Sequence, residues 1–437
     1  MTLTPLGYIP RVVDAQISKH LQIFGAVSVE GPKWCGKTWT STNHANSVFY
    51  VGDPANNFSN RQLARLNPEA ALRGISPHAI DEWQEVPGLW DAVRFTIDQA
   101  SLASSNDEDK ATGRFILTGS SRPATNTVMH SGAGRISRIA MRPMTLLESN
   151  DSSGRVSIQN LIDRKPVEIE QSTLSLEKLI QLVIRGGWPN NLTVSDDNAG
   201  IIPKSYLDEL VNQDMTKLDG IERSPGKTRS LLRSLARNNS TLVTNATLSA
   251  DTAVYGDSDL LVAESTVSEY LSALRRLYIL EEIPAWTPEM RGKIRLRVSP
   301  KRYLVDPSLA VAALNADYAS LEADLKTFGM LFEGLCLRDL AVYAQALNAN
   351  LCHYLDSTGL DADAILELPG QNWAAIEIKL GVNQVDDAAN KLNKLQAKIT
   401  DAGNKPPLFK AVIVGIGAIS QLREDGVYII PIDHLGL

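Results

Sequence analysis

The spacing of apolar residues changes along the chain, and each change predicts a different kind of element. Short β-type runs come first: AVSVE at 26–30, PHAIDE at 77–82 with its two terminal acids, and FILTGSS at 115–121. Beyond residue 150 the period becomes helical. SLEKLIQLVIR (175–185), KSYLDELVNQDM (204–215) and RSLLRSLARN (229–238) place apolar residues three and four apart, as bundle helices do, with a break at GGWP (186–189). STVSEYLSALRRLYILEEI (265–283) predicts a helix capped by Ser265 that switches into a strand. Toward the end come one long amphipathic helix over 321–347, a strand at 350–356, a helix over 384–399 and a buried strand at 410–417.

Residues 361–380, DADAILELPGQNWAAIEIKL, predict a β-hairpin centred near Gly370, because Pro369-Gly370 is turn chemistry between two apolar runs. A register that sets Asp363 opposite Glu377 and Asp361 opposite Lys379 gathers Ala364, Leu366, Ile376 and Ile378 on one core face. The other face then carries Asp361, Asp363, Glu377 and Lys379 at the open end. Two carboxylates so close repel unless a cation stands between them. The alternative is a solvated strand face with one Asp–Lys pair.

Composition narrows the class. The chain has 437 residues, 43% hydrophobic and 21% charged, enough for about three domains of ordinary globular protein. A net charge of −7 gives no global sign of nucleic acid, so local charge must be read. Cys35, Cys336 and Cys352 lie far apart without metal-ligand spacing, which fits a reducing compartment and argues against a zinc module. No N-terminal signal and no run long enough to span a bilayer are visible, so a cytoplasmic protein is expected.

The first β-type run leads into Gly31, Pro32, Lys33, Trp34, Cys35, Gly36, Lys37 and Thr38, the phosphate-loop pattern in its strand-then-helix setting. Backbone N–H groups would cradle phosphates, Lys37 would neutralise them, and Thr38 would reach Mg²⁺. Downstream, Asp81 is expected to hold the Mg²⁺ shell and Glu82 to orient the attacking water. Thr118 or Ser120, at the end of the FILTGSS strand, is placed to sense the γ-phosphate. In MRGKIRLRVSPKR (290–302), Arg291, Lys293, Arg295 and Arg297 fall at every second position. Such a row suits DNA phosphates, and it equally suits a solvated strand whose charges discourage edge pairing.

Taken with YIPR (8–11), EGPKWCGKT (30–38), IDEWQEVPGLWDAVR (80–94), HSGAGRI (130–136) and RPMTLLES (142–149), these motifs resemble predicted ATPases of the AAA+ superfamily with a C-terminal domain related to PD-(D/E)xK nucleases. The resemblance covers nearly the whole chain. It implies an α/β fold: a P-loop AAA+ core over 1–150, a helical lid over 151–225, a winged-helix-like domain over 226–300 and a nuclease-like αβββαβ domain over 301–437. It makes Arg135 an arginine finger acting in trans, for which a surface ion pair is the alternative, and it implies a ring-forming homo-oligomer. In the last domain it aligns Glu333, Asp363 and Glu377 as ligands of Mg²⁺ and Lys379 as the residue steadying the attacking water and the developing charge. The chain departs from the pattern at Asp361, where relatives often carry Glu. The expected cofactors are ATP and Mg²⁺ and the expected partner is DNA; the expected function is an ATPase whose nucleotide state controls the nuclease-like domain, or an adaptor ATPase in which that domain only docks.

Overall fold

The computed structural model describes residues 2–103, 111–122, 129–254, 261–289 and 299–437. The chain divides into two units: Met1–Pro143 with Asp214–Glu222 and Ala273–Tyr278, and Met144–Gln213 with Arg223–Ser272 and Ile279–Leu437. Among the described residues no helix is long and apolar enough to cross a membrane.

The first unit is built on β1 (Ala26–Glu30), β2 (Ser47–Tyr50), β3 (His78–Asp81), β4 (Phe115–Gly119) and β5 (Ile136–Ala140). They pair in the order β2-β3-β4-β1-β5, all parallel. Strands β1 and β4 are buried along their whole length, as continuous apolar runs at the centre of a parallel sheet must be. Alternation sends Ala26, Phe115 and Leu117 into one core with Trp83 and Trp90, the latter on α2 (Gly88–Ala103), while Val27, Val29 and Ile116 enter a second core with Val13 and Ile17. Because every strand runs the same way, Glu30, Asp81 and Gly119 end on one edge of the sheet. That edge is where α/β sheets bind ligands.

The second unit holds a seven-stranded sheet. Its strands are β6 (Glu170–Gln171), β9 (Asn350–Leu355), β10 (Asp361–Leu368), β11 (Asn372–Gly381), β12 (Lys410–Ile416), β13 (Ile419–Leu422) and β14 (Val427–Pro431), in the order β9-β10-β11-β12-β14-β13-β6. A separate antiparallel pair joins β7 (Leu280–Ile283) to β8 (Lys301–Leu304). From residue 325 the elements run α3 (Leu325–Ala346), β9, β10, β11, α4 (Val385–Asp401), β12. Helix α4 covers one sheet face, packing Ala388, Leu392 and Leu395 on Ile365, Ala375 and Val412. Near its closed end, the hairpin face that carries the acids is therefore core as well.

Two expectations are corrected. The region 321–347 is not one helix: Tyr318–Ala323 and α3 are separated at Asp324, whose carboxylate accepts from the Thr327 N–H at 3.1 Å and so caps α3. The helix Glu264–Arg276 begins before Ser265, so that serine lies inside the first turn and is not its cap. Asp residues inside an apolar pattern and a Ser at its edge both read ambiguously until the backbone is known.

Candidate functional site: a phosphate loop and a carboxylate cluster

The phosphate loop leaves β1 and enters α1 (Lys37–Asn43) through Gly36, whose φ of 102° is left-handed and favours glycine. At Gly31 a Cβ would stand 2.0 Å from the Met141 carbonyl oxygen, so that position admits no side chain. Arg11, of the YIPR motif, buttresses the loop: Nη1 donates to the Cys35 carbonyl at 2.7 Å and Nη2 to the Arg142 carbonyl at 2.8 Å. Lys37 is buried and folds its ammonium onto the Pro32 carbonyl at 2.7 Å. Lys33 reaches Asp214 at 2.5 Å. Pro32, Trp34 and Cys35 complete the turn, Trp34 at φ 63° and Cys35 buried.

Asp81 and Glu82 are held from the neighbouring strand. Thr38 Oγ1 and Thr118 Oγ1 both donate to Asp81 Oδ1, at 2.8 and 2.7 Å. Burial raises the Asp81 carboxyl above its ordinary value, and these two hydroxyls oppose the rise. The Thr118 oxygen also accepts from the Glu82 N–H at 2.9 Å, while Glu82 sits at φ 57°. Ser120 donates to Glu82 Oε2 at 2.8 Å, and Gln84 donates to the same oxygen. The two candidate sensors thus divide: Thr118 serves Asp81 and Ser120 serves Glu82. Thr118→Val, which leaves the Glu82 N–H unpaired, is expected to cost about 1–3 kcal/mol of stability and to slow ATP turnover, read by thermal melting and a steady-state assay.

Arg135 stands elsewhere. Its carbonyl accepts from the Ala26 N–H at 3.1 Å, which puts it beside the start of β1, whereas the phosphate loop leaves the end of that strand. Five strand residues separate the two by roughly 15 Å at about 3.3 Å each. Its guanidinium pairs with Asp98 at 2.8 Å. Arg135 therefore does not meet the phosphate loop of its own chain. Arg291, Lys293, Arg295 and Arg297 lie outside the described residues.

The acids of the second unit converge at the open end of the hairpin. Backbone pairing of β10 with β11 runs from Leu368↔Asn372 to Ala364↔Ile376, in the expected register. Beyond it, the Asp363 carboxylate takes over: Oδ2 accepts from the Ile378 N–H at 2.8 Å. On the other side of β10 the partner of Cys352 is Ile365 but that of Tyr354 is Ala362, so Asp363 and Ala364 together oppose His353. This β-bulge re-aims Asp363. Asp361, Asp363 and Glu377 each bring a carboxylate oxygen within 4.8 Å of the others.

Three lysines enter the cluster. Lys379 lies 3.2 Å from Asp363 and 2.7 Å from Glu377; Lys391, on α4, lies 2.9 Å from Glu377 and 2.7 Å from Asp361. Asp361 thus pairs with Lys391 and not with Lys379 as its expected strand position suggested. Lys301, on β8, stands between Glu333 and Asp363, 2.6 Å from the first and 3.7 Å from Oδ1 of the second. Burial and the Asp363 charge raise the Glu333 and Glu377 carboxyls, whereas at Asp363 burial is outweighed by Lys301 and Lys379 and its carboxyl falls below the ordinary range. Asp363 keeps its charge.

Glu377 is fully buried; among the described residues neither of its oxygens accepts a well-directed hydrogen bond, and each lies beside one ammonium, Lys379 at 2.7 Å and Lys391 at 2.9 Å. A buried carboxylate with open lone pairs beside two more carboxylates fits a hard divalent cation held by oxygens. Lys301 and Lys391 were not singled out in the sequence. A lysine on a strand or a charged helix reads as a surface residue, and only the fold turns these two inward.

Three family descriptions match the chain: an AAA domain over residues 24–150, and two domains of unknown function, DUF8612 over 176–320 and DUF4143 over 328–435. No curated protein matches it. Similar solved structures include a Walker-type ATPase of Pyrococcus abyssi (12% identity, covering 71% of this chain and 97% of that one, TM-score 0.41). The replication initiator DnaA bound to AMPPCP and single-stranded DNA follows at 13% identity, 63% and 91% coverage and TM-score 0.28, and Cdc6p from Pyrobaculum aerophilum at 13%, 76%, 98% and 0.22. TM-scores this low leave the functional argument to the residues. The parallel sheet, its phosphate loop and the match over 24–150 make the first part of this chain an AAA-type P-loop ATPase core.

Proposed function

We propose that the protein is an ATP-hydrolysing AAA+ switch whose nucleotide state controls a nuclease-like DNA-cleaving domain at its C-terminal end. For the first activity, the supporting observation is the hydroxyl–carboxylate chain Thr38–Asp81–Thr118, coupled through the Glu82 N–H to the Glu82–Ser120 pair. Thr38 and Asp81 would hold Mg²⁺, which supplies neutralising charge at the β- and γ-phosphate oxygens. Lys37 would leave the Pro32 carbonyl for the phosphates, and Glu82 would accept the proton of the attacking water. Arg135 would serve a neighbouring subunit's nucleotide.

For the second activity, the observation that carries the reading is the convergence of the buried Glu377 carboxylate with Asp361 and Asp363, one oxygen of each within 4.8 Å of the others. The element order from α3 to β12, with Asp363 and the Glu377-Ile378-Lys379 run on adjacent strands, supports a PD-(D/E)xK nuclease-like domain. Asp361, Asp363 and Glu377 would hold Mg²⁺, which supplies Lewis acidity at a scissile phosphate. Lys379 would position the attacking water and steady the charge that develops on the phosphate oxygens. Arg291, Lys293, Arg295 and Arg297 would grip the DNA backbone. Supercoiled plasmid incubated with the protein, ATP and Mg²⁺ or Mn²⁺ should be nicked, and Asp363→Ala should abolish nicking.

The second reading is an adaptor ATPase whose nuclease-like domain only docks. Its support is that each acid of the cluster already has an ammonium beside it. Absence of cutting under all these conditions would favour it.

A further inference from the structure

The metal reading leaves open whether the cluster takes one divalent ion or two, and Lys301 bears on this directly. Its Nζ donates to Glu333 Oε1 at 2.6 Å and to the Asp363 carbonyl at 3.1 Å, with Asp363 Oδ1 at 3.7 Å. Three oxygens from a helix and a bulged strand thus converge on one ammonium, the arrangement a second metal ion would need between the same two acids. The side chain is only 10% exposed. Its strand neighbour Arg302 is anchored the other way, on Glu282 and the Val243 carbonyl, so β8 cannot turn to release it without breaking those bonds. Lys391 is different: its side chain is 26% exposed on a helix surface and can swing its long stem into water.

We infer that Lys301 is the built-in second cation of this centre, so that Asp361, Asp363 and Glu377 take a single divalent ion and the position between Asp363 and Glu333 takes none. The inference rests on the reading of the cluster as a metal site. Charge counting agrees with it. Taken fully ionised, as ligands of a metal must be, Glu333, Asp361, Asp363 and Glu377 against Lys301, Lys379 and Lys391 leave one net negative charge. One divalent ion turns that into one positive charge, with Lys391 free to withdraw. A second would leave three positive charges inside a buried pocket, a burden that a low-dielectric site does not tolerate. Glu333 then acts as the anchor of Lys301 and contributes to the centre through it.

The test is a Mn²⁺ titration of the full chain without nucleotide, following the free ion by electron paramagnetic resonance. Comparing variants cancels any ion at the phosphate loop. Asp363→Asn should bind one ion fewer than the unaltered protein, Lys301→Met one more, and Lys301→Arg the same number. A difference of two ions between the unaltered protein and Asp363→Asn would overturn the inference, and so would a folded Lys301→Met that gains no ion. Should Lys301→Met fail to fold, as circular dichroism will show, the comparison with Asp363→Asn still decides. If Asp363→Asn binds as many ions as the unaltered protein, the metal reading itself falls and takes the inference with it.

Discussion

Glu82→Gln is expected to bind ATP and hydrolyse it about 10²–10⁴-fold more slowly, the range a lost general base covers. The change keeps the side chain's shape but removes the basic oxygen that Ser120 and Gln84 now orient. The backbone should not respond, because its left-handed turn is secured by the Thr118 hydroxyl and not by the Glu82 carboxylate. Equilibrium binding of a fluorescent ATP analogue alongside steady-state turnover separates the two effects. Unchanged turnover would assign the base to another residue, and weakened binding would mean that Glu82 shapes the nucleotide pocket.

Arg338→Met should be the most damaging single substitution for stability, about 3–5 kcal/mol, because it strands buried carboxylates without their counter-ion. Arg338 is 1% exposed; it donates from Nη1 to Asp306 and from Nε to Asp339, both at 2.9 Å. Those acids in turn accept the backbone N–H groups of Gly187 and Leu146, each at 2.9 Å, so one guanidinium organises three chain segments. Burial already holds the Asp339 carboxyl above its ordinary value against the pull of Arg338. Without the arginine that rise grows. The folded variant then takes up its proton at a higher pH than the unaltered protein, so its deficit should shrink as pH falls from about 7 to about 6, where the unaltered Asp339 carboxyl also protonates, and should change little below. Urea melts at both pH values check the sign; a deficit that grows on acidification would show that the carboxylates stay ionised.

Much of this was visible in one dimension. Pro369-Gly370 with flanking alternation is enough for the hairpin and its register, since a one-residue slip would turn Leu366 and Ile376 outward. The phosphate loop and PHAIDE were legible because each is a strand that ends in chemistry. The bulge at Asp363 was not, because nothing in DADAIL marks where an extra residue leaves the ladder. Lys301 and Lys391 escaped for a related reason: an inward lysine is told from an outward one by its partners, and these come from distant parts of the sequence. Asp214 and Tyr278 were missed beside the phosphate loop on the same ground, being 181 and 248 positions from Lys33 and Glu30.

That last pairing constrains how the protein is made. Lys33 waits for Asp214, and Glu30, buried at the mouth of the loop, waits for the Tyr278 hydroxyl at 2.7 Å. A nascent polypeptide that has emerged only as far as residue 143 holds every strand of the ATPase sheet but cannot finish it. Completion comes only after Tyr278 has cleared the ribosome, and gene fragments that stop short of it should yield an ATPase unit that aggregates or is degraded.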